Sequence, residues 1–167
     1  MSNTDEQASA QLAETRADGL RLSNGERGRL VKAIQFHRRP LEMEDLSDLS
    51  LHRFWRSAGE AGVDACLLAL ADYLGTVGHY FHQDSWIVVL ERVRRLLDGY
   101  YERHEQVVEP PVLVDGNAVM EALDIKRGRV VGELLTLIRE GQVTGEVKTA
   151  QDALMLARSY LDQGQKR

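Results

Sequence analysis

Basic residues surround the beginnings of two predicted helices near the C-terminal end of the chain. Lys126, Arg127 and Arg129 flank Gly128, where one helix is predicted to begin, and Lys148 precedes the next predicted helix. A helix start exposes unpaired amide N–H groups and the positive end of the helix dipole, so a phosphate group can bind there. Gly128 carries no side chain and lets another backbone approach closely. The pattern fits phosphate binding, and it also fits helix–helix packing through small residues.

A second group of basic residues lies in the N-terminal half, where acidic residues otherwise outnumber basic ones. Between residues 21 and 41 the only acidic side chain is that of Glu26. The basic residues that form a candidate second anion-binding face are Arg27, Arg29, Lys32, Arg38 and Arg39. The alternative is a solvated helix surface with spare arginines, which is how charge runs of this kind commonly behave.

One set of imidazole and carboxylate side chains has the composition of a transition-metal site. Its weak candidate ligands are His37, Asp72, His79 and His82, and a helix would place His79 and His82 on one face. Nearby glycines indicate a turn, and histidines at such positions more often hydrogen-bond across a turn than bind a metal. The sequence contains no phosphate-binding loop, dinucleotide fingerprint or nucleophile elbow. We therefore assign no metal ligand, catalytic residue or cofactor to this chain.

Composition and charge exclude several classes of protein. The 167 residues include 26 acidic and 21 basic side chains, and the net charge of −5 excludes a wholly basic surface for nucleic acid. Cys66 is the single cysteine, which excludes an intramolecular disulfide and suits a reducing compartment. No apolar run approaches the roughly 20 residues of a membrane span, and the first residues lack the apolar core of a signal peptide. We expect a cytoplasmic protein without a membrane partner.

The periodicity of apolar residues predicts an all-α fold, a helical bundle with a small C-terminal three-helix module. Adjacent prolines at Pro110 and Pro111 mark the boundary, because they stop a helix and stiffen the connection. They separate a helical unit over residues 1–108 from a module over residues 109–167. Within the helical unit, the apolar run from Val63 to Leu74 predicts a central buried helix.

Short-range signals predict several helix ends. Ser23 or Asn24 can cap a helix that Pro40 is expected to end, and the stretch LEMEDLSDLS after Pro40 is predicted to be a polar connection. In the module, Thr149 with Asp152 three positions later resembles a capping box.

The module has a sequence that resembles a known family. The segment PVLVDGNAVMEALDIKRGRVVGELLTLIREGQVTGEVKTAQDAL resembles the C-terminal region of bacterial CCA-adding tRNA nucleotidyltransferases and the related poly(A) polymerases. The matching positions are Pro111, Gly116, Met120, Gly128, Gly132, Leu135, Gly145, Thr149 and Ala153. Asn117 departs from the acidic residue of the family pattern, and Arg127 and Arg129 replace its prolines. Upstream, LRLSNGERGRLVKAIQFHRRP and RFWRSAGEAGVDACLLALADYLG resemble the later half of the family's HD-type helical region.

The resemblance implies a non-catalytic region that holds tRNA or another structured RNA. In this family, nucleotidyl transfer belongs to an N-terminal head whose paired aspartates bind Mg²⁺, and the sequence contains no such head. That catalytic head would be a partner of this chain, and the resemblance implies no cofactor in the chain itself. The family's helical C-terminal parts hold the RNA backbone, which agrees with the basic helix starts.

Two alternatives to RNA binding remain open at this point. The first is a diverged HD-type metal-dependent phosphohydrolase that uses the histidines and Asp72. The second is a structural helical module that packs on another domain or forms a homodimer. Aromatic residues would anchor that interface, and the candidates are Trp55, Trp86, Tyr100 and Tyr101.

Overall fold

The computed structural model describes residues 3–164, with side chains described from residue 8 to residue 163. In this range the chain is helical and has no strand, which confirms the predicted all-α fold. The α-helices are α1 (Asn3–Gly19), α2 (Asn24–Phe36), α3 (Arg39–Glu42), α4 (Asp48–Ala58), α5 (Gly62–Val77), α6 (Gln83–Tyr101), α7 (Gly116–Leu123), α8 (Arg129–Val143) and α9 (Ala150–Gly164). Two 3₁₀ turns (Gly59–Ala61 and Gly78–Tyr80) and a π-helical turn (His104–Val108) complete the described elements.

The helices group into two compact units. The first is Met1–Glu102 and includes α1 to α6, and the second is Arg103–Arg167 and includes α7 to α9. The first unit therefore ends at residue 102, six residues before residue 108, where the prolines predicted its end. The π-helical turn therefore belongs to the second unit, where it packs against α8 and where Val107 is fully buried.

The core of the first unit forms where α5 packs against α2, α3, α4 and α6. Trp55 of α4 is 2% exposed, and its ring lies 5.1 Å from that of Phe54 and 4.6 Å from that of Tyr100, centroid to centroid. A Cβ atom at Gly62 would lie 2.4 Å from the Trp55 ring, so the start of α5 requires glycine. Trp55 belongs to this core, and its predicted role as an interface anchor is wrong.

Two local predictions for the first unit are also wrong. Pro40 is expected to end a helix, but α2 ends at Phe36 and Pro40 lies in the first turn of α3, where a missing N–H costs nothing. The apolar run of α5 is expected to be buried all round. Its inner face includes fully buried Cys66, but Leu67 and Leu74 on another face are 55% and 46% exposed.

The second unit is a three-helix module with its own core. Its core cluster comes from the three helices, the segment before α7 and the loop before α9, and it consists of Val114, Val119, Leu134, Ile138, Val147, Ala153 and Ala157. A Cβ atom at Gly141 would lie 2.8 Å from the Val147 side chain, so α8 and the following loop approach each other closely at this glycine. This contact joins the last turn of α8 to the loop before α9, where Lys148 lies.

One helical run within the described residues is long and apolar enough to cross a membrane by length and composition alone. It extends over Asp48–Tyr80, and 28% of its most apolar window is buried. The 3₁₀ turn at Gly59–Ala61 interrupts it. Core helices of soluble proteins pass the same test, so the run is weak evidence for a membrane span.

Candidate nucleic-acid interface

The beginning of α8 has no side-chain cap. Gly128 is the N-cap residue, and no side chain accepts a hydrogen bond from the first turn of the helix. Only the N–H of Val131 bonds back to the Gly128 carbonyl, at 3.2 Å. The first amide N–H groups of a helix have no intrahelical partner, so they remain available to a ligand unless a cap satisfies them. The α8 start therefore has the local structure of an anion site.

An open cleft of about 380 Å³ lies at this helix start. The beginnings of α7 and α8 form it, and it is lined by Asp115, Gly116, Asn117, Met120, Arg127, Gly128, Val131 and Gly132. A Cβ atom built at Gly132 would meet nothing within 4 Å, and one at Gly128 would meet only the Lys126 carbonyl at 4.0 Å. These two glycines leave the α8 side of the cleft open, and no helix within the described part of the chain packs closely against them.

The acidic residue of the cleft is already engaged. Asp115 caps α7, and its Oδ1 atom accepts a hydrogen bond from the Ala118 N–H at 2.8 Å. The carboxylate therefore satisfies the α7 start, which leaves α8 as the uncapped helix end at this cleft. Its negative charge lies on the α7 side, and the Arg127 side chain lines the same cleft from the α8 side.

The three basic residues around Gly128 differ in their surroundings. All three are exposed, and Arg129 donates from Nε to Glu133 Oε1 at 2.7 Å, one turn along the helix. Lys126 and Arg127 have no acidic partner within the described residues. Exposed helical ion pairs contribute only a few tenths of a kcal/mol, so Arg129 remains able to exchange Glu133 for a phosphate. Lys126 and Arg127 are the better-placed cations.

The Lys148 site differs, because the α9 start is capped from within. The Asp152 N–H donates to Thr149 Oγ1 at 3.1 Å, and Asp152 Oδ2 accepts from the N–H groups of Lys148 and Thr149 at 3.1 and 2.9 Å. This is the capping box predicted from Thr149 and Asp152. These bonds hold the pKa of the Asp152 carboxyl below its usual value. A fixed negative charge thus occupies the place where a phosphate would bind.

Two of the five basic residues on the second face are held by acids of the first unit. Arg27 bonds Asp18 at 2.8 Å, and Arg29 forms a two-pronged bond to Asp64 through Nε and an Nη atom, the latter at 3.0 Å. Hydrogen bonding to Arg29 lowers the pKa of the Asp64 carboxyl. The other three, Lys32, Arg38 and Arg39, have no ion pair within the described part of the chain.

The beginning of α2, beside this second face, is capped by side chains. Ser23 and Glu26 form a reciprocal capping box, in which the Ser23 hydroxyl accepts from the Glu26 N–H and the Glu26 carboxylate accepts from the Ser23 N–H. The Ser23 hydroxyl also donates to that carboxylate, and these bonds lower the pKa of Glu26. The second face therefore offers side-chain cations but no free helix end.

The candidate metal ligands do not assemble into a site. His37 and Asp72 approach each other, with 3.9 Å between Nε2 and Oδ2, while Nδ1 of His37 lies 2.6 Å from the Ile34 carbonyl. His79 and His82 lie in the exposed link between α5 and α6. Within the part of the chain that the structure describes, no group of three or more His, Cys, Asp or Glu side chains is arranged to hold a metal.

A second cleft, of about 350 Å³, was not anticipated from the sequence. It is lined by Phe36, Arg39, Met43, Glu44, Asp45, Ser50, Arg53, Phe54 and Ser57. Asp45 accepts from Ser47 and Ser50, which lowers its pKa and fixes a negative charge beside the two arginines. The sequence signal for this cleft was the Asp-x-Ser-x-x-Ser spacing at residues 45–50, which lies within the predicted polar connection.

The comparisons with known proteins give no neighbour for this chain. It matches no family model, no curated protein and no solved structure. The family resemblance and the function it implies therefore rest on the residues themselves.

Proposed function

We propose that the second unit binds structured RNA through its phosphate backbone at the α8 start. The observation that carries this proposal is the uncapped helix end at Gly128, which opens onto the cleft lined by Arg127. Amide N–H groups, a helix dipole and a guanidinium group converge there, and all three favour an anion. In the same unit, Asp115 caps α7 and the Thr149–Asp152 box caps α9.

Contacts of this kind position a nucleic acid without reading its sequence. Double-stranded RNA is recognised mainly by its shape and by phosphate and 2′-hydroxyl contacts, so a folded RNA such as tRNA is the partner that fits. The exposed cations Lys126, Arg127 and Arg129 surround the helix end, and Lys32, Arg38 and Arg39 offer weaker contacts on the first unit. The net charge of −5 predicts modest affinity that depends strongly on salt.

The resemblance to CCA-adding nucleotidyltransferases and poly(A) polymerases extends this proposal to the parent protein. This chain would be its non-catalytic RNA-holding region, and the chemistry would belong to a separate catalytic head with Mg²⁺ on paired aspartates. The resemblance assigns this ion to the head and not to the present chain. The single buried thiol of Cys66 agrees with a cytoplasmic location.

The test is a charge reversal at the cleft, beside the α8 start, with a matched reversal near the other end of α8. Arg127→Glu is expected to weaken binding of an unmodified tRNA about tenfold or more at low salt, because a repulsive charge replaces a phosphate contact. Arg139→Glu changes the net charge by the same amount at an exposed position near the other end of α8. This variant is expected to retain most of the tRNA affinity of the wild type. Gel shift or fluorescence anisotropy measures both.

Circular dichroism of each variant checks that helicity is unchanged, since both side chains are exposed. A single-stranded RNA of equal length shows whether binding requires folded RNA. Equal affinities for Arg127→Glu and Arg139→Glu would contradict the assignment of the phosphate site to the α8 start.

A further inference from the structure

An apolar stripe extends along α5 on the side away from α2. It consists of Leu67, Leu70, Leu74 and Val77, at spacings of three, four and three residues. Leu67 and Leu74 are 55% and 46% exposed, and the other two are half-buried. The flank of α5 opposite the stripe faces α2, where Asp72 lies beside His37. The stripe is therefore on the exposed side of α5 next to α6, which α5 contacts through Tyr73 and Trp86.

A matching stripe extends along α6. It consists of Ile87, Leu90, Arg94, Leu97 and Tyr101, at spacings of three, four, three and four residues. Ile87, Leu90 and Tyr101 are 53%, 39% and 64% exposed. The other flank of α6 faces α3 and α4, since Arg92 donates to the Leu41 carbonyl and Arg95 pairs with Asp48. This second stripe thus lies on the flank that faces α5.

The two stripes form one surface because α5 and α6 are an antiparallel helical hairpin. A short link of residues 78–82 joins the helices, they pack on each other, and the rings of Tyr73 and Trp86 stack with 5.7 Å between centroids. Tyr80 and Phe81 in the link add exposed aromatic area at 84% and 46% exposure. We call this surface the hairpin face. Alternating spacings of three and four residues are the pattern by which helices pair in bundles.

The hairpin face is large enough for a stable contact between proteins. The exposed parts of its side chains amount to several hundred Å², on the order of the roughly 800 Å² that each partner buries in a standard interface. Its seven exposed apolar residues are Leu67, Leu74, Tyr80, Phe81, Ile87, Leu90 and Tyr101. Patches of this size on a soluble protein mark an interaction site.

The charge of the hairpin face fits a second copy of the same chain. Arg94 is the charged residue within the α6 stripe, and its guanidinium lies 3.6 Å from Glu91 and 3.5 Å from Asp98 on its own helix. A two-fold axis that crosses α6 midway between Arg94 and Asp98 would bring Arg94 of each copy opposite Asp98 of the other. A face that is apolar along its length, with one arginine between two acids, is self-complementary, as an isologous interface requires.

We propose that the hairpin face pairs with the hairpin face of a second copy about a two-fold axis midway between Arg94 and Asp98. The α5 and α6 helices of the two chains then form a four-helix arrangement that covers both apolar stripes. The interface lies within the first unit and does not use the α8 cleft, so it stands independently of RNA binding.

The test is the mass of the full chain in solution, measured by sedimentation over a concentration series. The expected mass is about twice 18.8 kDa at micromolar concentration. The double variant Leu67→Glu with Leu90→Glu is expected to sediment as a monomer, because it places four charges in the apolar seam of the pair. Both positions are exposed, so the monomer should keep its helicity.

Val88→Glu is the matched control. Val88 is 51% exposed on α6, but it lies on the flank opposite the stripe, so this variant is expected to remain dimeric. A cysteine introduced by Leu97→Cys lies next to the two-fold axis and is expected to form an interchain disulfide under mild oxidation. Cys66, the native cysteine, is fully buried and has a pKa raised to about 12 by burial, so it does not compete.

A wild-type chain that stays monomeric throughout the concentration series would overturn the proposal. A dimer that survives the Leu67→Glu and Leu90→Glu pair would place the interface elsewhere and overturn it as well. Binding of a monomeric chain to lipid vesicles that is lost in the same double variant would assign the hairpin face to a membrane and not to a second copy.

Discussion

The beginnings of α8 and α9 show how two similar sequences produce different electrostatic sites. Each helix follows a lysine, and each begins on the surface of the same three-helix module. At α9 the Thr149 hydroxyl accepts the Asp152 N–H, and the Asp152 carboxylate accepts from the N–H groups of Lys148 and Thr149. At α8 the N-cap residue is Gly128, and no side chain accepts a hydrogen bond from the first turn. A basic residue near a helix start therefore does not define an anion site. What decides whether the helix start can bind an anion is whether a carboxylate of the same helix already occupies it.

The largest effect is expected from a change that makes the α8 start resemble that of α9. Gly128→Asp would supply a capping carboxylate, and the extended backbone of Gly128 (φ 176°, ψ −173°) accommodates it without strain. RNA affinity should fall by about tenfold or more, because the new carboxylate takes the amide groups and repels phosphate. Thermal stability should be unchanged or slightly higher, since Asp exceeds Gly as an N-cap by a few tenths of a kcal/mol.

Gly25→Asp provides the control for Gly128→Asp. Gly25 is exposed in α2, and a Cβ atom there would meet nothing within 4 Å. The Gly25→Asp variant introduces the same charge in the first unit, and it is expected to retain most of the tRNA affinity of the wild type. If Gly128→Asp binds RNA as tightly as Gly25→Asp does, the α8 amide groups are not the phosphate site.

A smaller effect is expected from opening the α9 start. Thr149→Ala removes the hydroxyl that accepts the Asp152 N–H, and loss of an N-cap costs about 1 kcal/mol of unfolding free energy. The melting temperature should fall by roughly 2–4 °C in a chain of this size, while tRNA affinity changes little because Asp152 still occupies the site. A tenfold change in affinity would contradict the distinction between the two helix starts.

The smallest effect is a pH dependence of the α9 cap. The folded-state pKa of Asp152 is lowered, so its contribution to stability is present above the unfolded value of about 4 and is lost as pH falls through the folded value. The wild type should therefore be more stable than Asp152→Asn at pH 7, and the difference should shrink below pH 4. Denaturant titrations from pH 7 to pH 3 measure it. A constant difference would show that the carboxylate does not cap α9.

Glu146→Gln is the matched control for that titration. Glu146 is exposed in the loop before α9, and its replacement removes the same charge without touching the cap. Its stability difference from the wild type should be small at every pH.

Short-range patterns predicted the fold well. The Ser23 cap of α2, the Thr149–Asp152 box and the apolar periodicity of the helices depend on residues within one or two turns, and all are present in the structure. Pro40 was misassigned because a proline also suits a first helical turn. The exposed side of α5 could not be predicted, since composition shows that a helix is apolar but not which neighbours cover it.

The candidate site was predictable only in part. The sequence located the helix starts at Gly128 and Thr149. A glycine, however, is compatible both with close packing of another helix and with access by a phosphate ligand. In the structure the space around Gly128 and Gly132 is open, which favours access by a ligand. The partners of Arg27 and Arg29 include Asp64, which lies 35 residues from Arg29. Such long-range pairing has no local signal, so the second face appeared more available than it is.

The most direct test of the account is a salt titration of tRNA binding to the wild type and to Arg127→Ala. If about four to six phosphates are engaged, the logarithm of the association constant should fall linearly with the logarithm of the salt concentration, with a slope of roughly −4 to −5. Arg127→Ala should reduce the size of that slope by about 1 and weaken binding at low salt. Absence of tRNA binding at low salt, or an identical slope and affinity for the two proteins, would contradict a phosphate site at the α8 start.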